Sequence, residues 1–166
     1  MERVLIIGCG GAGKSTLARA LGEKTGLPVV HLDKLFWKPG WVETPREEFD
    51  RILRREMAQP RWIMDGNYHR TLPERIGYCD TVIYLDFNRF TCLLGVARRV
   101  ITTYGHVRPD MGEGCPKRVD WDFVKWVWNF NKHNRKRYHH TLSQAENTNV
   151  YILKNRRQLR SFLDSL

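Results

Sequence analysis

An apolar run, Val4-Leu5-Ile6-Ile7, breaks directly into Gly8-Cys9-Gly10-Gly11-Ala12-Gly13-Lys14-Ser15, and nothing else in the 166-residue chain limits its fold as much. A short β-branched run ending in a glycine cluster reads as a buried strand entering a tight turn, of the kind found at the centre of a parallel sheet. Leu17, Ala18 and Leu21 then recur at helical spacing from Ser15 to Lys24, and Gly26 and Pro28 stop that helix. Strand, glycine loop and helix N-terminus in succession aim backbone N–H groups at an anion. Two patterns fit. Gly8, Gly10 and Gly13 match the dinucleotide fingerprint G-x-G-x-x-G, and Asp33 stands 20 residues past Gly13, where a ribose-binding acid belongs. Gly8, Gly13, Lys14 and Ser15 match the P-loop, G-x-x-x-x-G-K-[ST]. The Lys14-Ser15 pair favours the second. A pyrophosphate needs only amides and a helix end, whereas a nucleoside triphosphate brings more charge and a metal. Lys14 would reach the β- and γ-phosphates and the Ser15 hydroxyl would ligate Mg²⁺. The expected cradle is Gly8, Cys9, Gly10, Gly11, Ala12, Gly13, Lys14, Ser15 and Thr16, with Cys9 either a small space-filling residue or a redox-sensitive thiol.

Further along, Val29-Val30-His31-Leu32 is a second run ending at Asp33. Thr44-Pro45-Arg46-Glu47 has the N-cap, N1 proline and N3 glutamate of a capping box, which predicts a helix turning Phe49, Ile52 and Leu53 inward. Trp62-Ile63-Met64 is a third strand, closed by Asp65-Gly66, and Thr81 to Leu85 a fourth, closed by Asp86. A helix with Phe90, Leu93, Leu94 and Ala97 on its inner face follows. Gly105, Pro109, Gly112, Gly114 and Pro116 predict a loop. Trp121 to Tyr138 reads as a helix, apolar through Trp121, Val124 and Trp128 and basic toward its end. Asn149 to Leu153 is a fifth strand, and Leu159, Phe162, Leu163 and Leu166 fit a closing amphipathic helix. Strands alternating with helices predict an α/β fold with a parallel, doubly wound sheet. The length suits one domain, residues 1–166, with an acceptor-side segment at about 33–60 and a lid-like segment at about 98–120.

Charge sharpens the question of partners. The net charge is +10, yet residues 1–87 carry only +1 and residues 88–166 carry +9. Such an excess suits a polyanion: nucleic acid, an anionic membrane surface or a phosphorylated small molecule. Cys9, Cys79, Cys92 and Cys115 show no C-x-x-C spacing, and neither a signal peptide nor a membrane span is legible. A soluble, cytoplasmic protein with no membrane partner is expected.

The P-loop, Asp33 after the second strand and Trp62-Ile63-Met64-Asp65-Gly66 resemble the adenylate kinase-like small P-loop kinases. His31-Leu32-Asp33-Lys34-Leu35-Phe36-Trp37, Asp65-Gly66-Asn67-Tyr68, Arg108-Pro109-Asp110-Met111 and Gly114-Cys115-Pro116 resemble more closely the DNA topology modulation, or FlaR-like, family. That resemblance runs from Val4 to about Trp128. It implies a five-stranded parallel sheet of order 2-3-1-4-5 and ATP as ligand. Adenylate kinases carry Thr-Gly-[Asp/Asn] where this chain has His31-Leu32-Asp33, which argues against AMP as acceptor. They also have Asp-Gly-Phe-Pro-Arg where this chain has Asp65-Gly66-Asn67-Tyr68-His69-Arg70, so the resemblance implies Arg70, one residue later, as the counterpart expected to bind phosphate.

Asp65, ending a strand expected beside the P-loop strand, would hold a water on Mg²⁺ or else cap the following turn. Asp33, on the same carboxyl edge, would orient or deprotonate an acceptor hydroxyl. Phe36, Trp37, Trp41 and Tyr68 gather around the acceptor-side loops, with Asn67 and Arg70 nearby, where the rings either stack on a planar acceptor or pack that segment. Arg98, Arg99 and Arg108 have the layout of a lid that brings cations to the γ-phosphate and excludes water, or of a solvated basic surface. Lys132, Arg135, Lys136 and Arg137, interleaved with histidines, form a patch that is either a solvated helix face or a nonspecific DNA contact. The reading is a Mg²⁺- and ATP-dependent kinase acting on a small acceptor: a nucleoside, a nucleotide or another hydroxyl compound. Its rival is an ATP-binding regulator of DNA topology that transfers no phosphate, and a dinucleotide-binding protein is a third reading.

Overall fold

The opening apolar run forms β1 (Arg3–Gly8), and Val4, Leu5, Ile6 and Ile7 are wholly buried because a parallel strand lies along each of its edges. The structure is a computed structural model that describes residues 1–102 and 121–166. After β1 come α1 (Lys14–Thr25), β2 (Val29–His31), α2 (Leu32–Phe36), β3 (Trp37–Lys38), β4 (Val42–Glu43), α3 (Arg46–Met57) and β5 (Trp62–Asp65). A 3-10 turn (His69–Thr71), α4 (Leu72–Tyr78), β6 (Thr81–Leu85), α5 (Arg89–Thr102), α6 (Trp121–Ser143), β7 (Asn149–Leu153) and α7 (Arg156–Asp164) complete the described chain.

The main sheet is five-stranded and parallel, ordered β2-β5-β1-β6-β7. Leaving aside the small antiparallel hairpin β3-β4, this is the expected 2-3-1-4-5 order. The position of β5 decides between the two glycine patterns. A dinucleotide fold places its second strand directly beside the first. Here β5 separates β1 from β2, so the edge beside the glycine loop receives Asp65 rather than Asp33.

Several expected helices formed with different contacts. The Thr44 capping box does not assemble: the Thr44 hydroxyl donates to the Leu35 carbonyl at 2.9 Å, and α3 begins at Arg46 without a side-chain cap. Thr44 is spent closing the hairpin onto α2. The inner face of α5 is only partly the expected one: Leu93 packs against the core. Phe90 and Leu94 are 67% and 71% exposed, and Ala97 is exposed, while Cys92 and Val96 are buried. The cause is a close approach of backbones. A Cβ on Gly95 would lie 2.0 Å from the Gly11 carbonyl oxygen, and one on Gly11, at φ 80°, would lie 2.1 Å from the Cys92 carbonyl oxygen. Large side chains are therefore turned outward. Likewise α6 buries Val127, Phe130, Tyr138 and Leu142 and leaves Trp121 and Trp128 exposed, and Leu166 lies exposed beyond α7.

Gly95 supplies a test with a reversed sign. A helical Gly→Ala change ordinarily stabilises by about 1 kcal/mol. At this position the added methyl group has no room, so Gly95→Ala should destabilise by at least about 2 kcal/mol. Urea denaturation measures it, and a raised midpoint would refute the contact.

Candidate functional site

β1, β2, β5 and β6 end at one carboxyl edge, the position at which open α/β sheets bind ligands. The first contribution is the glycine loop. Gly13, in the left-handed region at φ 98°, turns the chain into α1, whose first residues are Lys14 and Ser15. The Lys14 ammonium folds back over the loop and donates to the carbonyls of Gly8 at 2.9 Å and Cys9 at 3.1 Å. The Cys9 side chain is buried rather than turned to the cradle. Its thiol pKa is pushed up by a hydrogen bond with Cys92 and by burial.

Asp65 is the junction of the site. Register pairs it with Ile6 of β1 on one side and His31 of β2 on the other. The Ser15 hydroxyl donates to Asp65 Oδ2 at 2.7 Å, and His31 Nδ1 lies 2.5 Å from Oδ1. Because a carboxylate only accepts, the hydrogen bond fixes the His31 proton on Nδ1. Serine hydroxyl and carboxylate are hard oxygen donors of the kind that suit Mg²⁺, which is commonly bound through one or two protein oxygens, waters and substrate phosphates. Among the described residues no group of three or more His, Cys, Asp or Glu side chains forms a self-sufficient metal cage. The pair is therefore adequate only together with a phosphate-bearing ligand.

Asp33, near the start of α2, receives a hydrogen bond from the Tyr68 hydroxyl at 2.8 Å. Burial and the Asp33 carboxylate push the Tyr68 phenol well above its ordinary pKa, so the phenol remains a donor. Tyr68 adopts φ 31°, a left-handed conformation costing on the order of 1 kcal/mol for a bulky residue. Arg75 holds it there. This side chain is fully buried, and its guanidinium donates to the carbonyls of Gly66 at 2.9 Å, Tyr68 at 3.0 Å and Asn67. Burial lowers its pKa to about 10, which leaves it charged at neutral pH. The Asn67 side-chain oxygen accepts from the Gly8 amide at 3.1 Å, so Asn67 braces the glycine loop. Arg70 does not present a free phosphate ligand either: its guanidinium grips both carboxylate oxygens of Asp50, at 2.9 and 2.5 Å. Phe36, Trp37, Trp41 and Tyr68 do form one cluster, joined by Phe49.

The basic residues are dispersed. Arg98 is exposed on α5, the Arg99 guanidinium lies 5.4 Å from the Phe123 ring, and Arg108 falls outside the described residues, as does most of the lid-like segment. Within the patch on α6, Arg135 turns to Asp86 at the end of β6, with nitrogens 3.0 and 2.8 Å from Oδ2, and His139 joins at 3.2 Å. Lys132, Lys136 and Arg137 are exposed. Asn131 donates to the Phe87 carbonyl at 3.0 Å, so three successive turns of α6 grip the β6-α5 junction. His31, Arg75 and Asp86 are the functional-edge residues that pattern reading did not single out. An acid ending a fourth apolar strand was a visible signal for Asp86; a lone His and a lone Arg carried none.

No protein-family model matches the chain, and no curated protein sequence matches it. Solved structures do. A shikimate kinase from Bacteroides thetaiotaomicron aligns at 18% identity and TM-score 0.59, over 99% of this chain and 95% of that one. A shikimate kinase from Acinetobacter baumannii, in complex with shikimate, aligns at 16% identity and TM-score 0.65, over 99% and 90%. A deoxyadenosine kinase from M. mycoides with bound dCTP aligns at 12% identity and TM-score 0.51, over 98% and 97%. The chain has the fold of these small P-loop kinases. The likeness to DNA topology modulation proteins rests on the sequence motifs alone.

His69 gives the edge a pH-dependent tie. Its ring shares a hydrogen bond with Asn134 of α6 at 3.1 Å, and burial lowers its pKa below the ordinary 6.5. The unfolded chain then binds the proton more readily than the folded one, so stability falls as pH drops from about 6.5 toward the depressed value. Urea unfolding at pH 7.5 and 5.5 should show a smaller acid-induced loss for His69→Gln than for the unsubstituted protein; equal losses would remove His69 from the account.

Proposed function

We propose that the protein is an ATP-dependent phosphotransferase that moves the γ-phosphoryl group to a hydroxyl of a small acceptor. The observation that carries this reading is the Ser15–Asp65 hydrogen bond at the mouth of the glycine loop, with Asp33 on the same sheet edge. Loop amides from Gly8 to Thr16 and the start of α1 hold the phosphates, and Lys14 exchanges its carbonyl partners for phosphate oxygens. Ser15 and Asp65 hold Mg²⁺, which when bound neutralises charge on the triphosphate. His31 orients the Asp65 carboxylate from behind.

The acceptor oxygen forms a bond to the γ-phosphorus as the bond from that phosphorus to the β–γ bridging oxygen breaks. ADP departs, and the hydroxyl proton passes to the Asp33 carboxylate. Tyr68 fixes the orientation of Asp33 through its hydroxyl. Arg98, Arg99 and Arg108 are the cations proposed to close over the transferring group. The DNA-regulator reading has no support in the comparisons; of its four cations Arg135 is paired with Asp86, while Lys132, Lys136 and Arg137 are exposed.

Two variants separate binding from chemistry. Asp33→Asn should keep ATP affinity within about threefold while lowering acceptor-dependent ADP release by about 100-fold or more. Lys14→Ala should lose ATP affinity as well, and provides the blank for a metabolite screen. Turnover by Asp33→Asn at the unsubstituted rate would remove Asp33 from the reaction. Undiminished nucleotide affinity in Lys14→Ala would point back to a dinucleotide site.

A further inference from the structure

The acceptor side of the site has a wall made of rings. Phe36 meets Trp37 edge-on, with centroids 4.9 Å apart at 89°, and Phe49 at 5.4 Å and 90°. It leans on Tyr68 at 4.9 Å, and Trp37 meets Trp41 at 5.5 Å. Among the described non-glycine residues, positive φ occurs at Trp41, Tyr68 and Asn147, so two of these conformations belong to this wall. A bulky residue holds such a conformation where surrounding contacts over-determine it. Tyr68 is over-determined by Arg75 behind it and Asp33 in front of it. Trp41 closes the β3-β4 hairpin, which carries Trp37.

The cations beside the wall are already paired. The Lys38 ammonium lies 2.8 Å from Glu48, and Arg70 holds Asp50 through two hydrogen bonds that keep the Asp50 carboxyl below its usual range. Arg75 is enclosed by three carbonyls. Lys34 and Arg46 are exposed to solvent, and Arg46 lies close enough to Asp50 to help hold its carboxyl down. Among the described residues, an acceptor bearing its own phosphate or carboxylate could recruit Lys38 or Arg70 only by breaking its pair, and would then lie close to the Asp33 carboxylate. A neutral ring would meet only aromatic surface, with its hydroxyl free to reach Asp33.

We infer, building on the phosphotransferase reading, that the acceptor is an uncharged planar-ring compound carrying a hydroxyl, of the nucleoside class, rather than a nucleotide or an organic acid. The wall stacks the ring, the Tyr68-bound Asp33 receives the hydroxyl, and the Asp33 carboxylate together with the paired state of Arg70 disfavours the phosphorylated analogue.

The test uses the full chain and the fluorescence of Trp37 and Trp41. Adenosine, guanosine, cytidine and thymidine are titrated against their 5′-monophosphates, and ADP release is followed with ATP and Mg²⁺ present. At least one nucleoside should bind at least about tenfold more tightly than its monophosphate and should drive ADP release. Asp50→Asn, which frees Arg70, should narrow that preference by raising affinity for the monophosphate. The inference is overturned if monophosphates bind as tightly as nucleosides, if no nucleoside changes the fluorescence, or if Asp50→Asn leaves the ratio untouched. If a nucleoside binds with the stated preference but releases no ADP above the Lys14→Ala blank, the neutral-ring site stands and the phosphotransferase reading falls. If ADP release needs an anionic acceptor, the phosphotransferase reading stands and this inference falls.

Discussion

One carboxylate joins the parts of this molecule that matter for a ligand. Asp65 receives the Ser15 hydroxyl from the start of α1 and the His31 ring from the end of β2, while its own strand lies between β1 and β2. Parallel strands running in register bring these three groups to the same level of the sheet. The hydrogen bonds then convert a shared edge into a fixed arrangement of a hydroxyl, a carboxylate and an imidazole. Without β5 in that position, Ser15 would lose the carboxylate that accepts its hydroxyl.

The loop that follows Asp65 is organised from behind. Gly66, Asn67 and Tyr68 give their carbonyls to Arg75, and Asn67 returns a hydrogen bond to Gly8. A buried guanidinium satisfied only by carbonyls is an expensive arrangement unless every donor finds a partner. Its Nε is left without a partner among the described groups, so the hold on the loop is bought at some cost in stability. What the arrangement secures is the left-handed Tyr68, and through Tyr68 the orientation of Asp33.

The strands, their order and the glycine loop were legible because each is written in contiguous residues. Val4 to Ile7, Trp62 to Met64 and Thr81 to Leu85 are apolar runs with nothing else to become. Faces of helices were less legible. In α5 the buried positions are Cys92 and Val96, next to the Gly95 contact, and a pattern that ranks side chains by apolar size selects Phe90 and Leu94 instead. Thr44 had the signature of a cap but served a longer-range contact with Leu35. Arg70, Arg75 and Arg135 look alike in sequence. Their partners, Asp50, three loop carbonyls and Asp86, are set by the packing of separate elements. The same holds for the basic second half: Arg89 lies over Trp128, Arg99 over Phe123 and Arg156 over Phe87, so part of its charge is absorbed by ring faces within the fold.

The contact between Gly11 and Gly95 also constrains how such a chain can diverge. Each glycine removes the atom that would collide with the other's segment, so neither position can drift while the backbones stay this close. Gly11 carries no fixed letter in the phosphate-loop pattern, and Gly95 lies in a helix where glycine is otherwise a liability. Two glycines in these unrelated settings together set how closely α5 docks on the loop. Descendants that lose one should lose the other, or carry α5 farther from the loop.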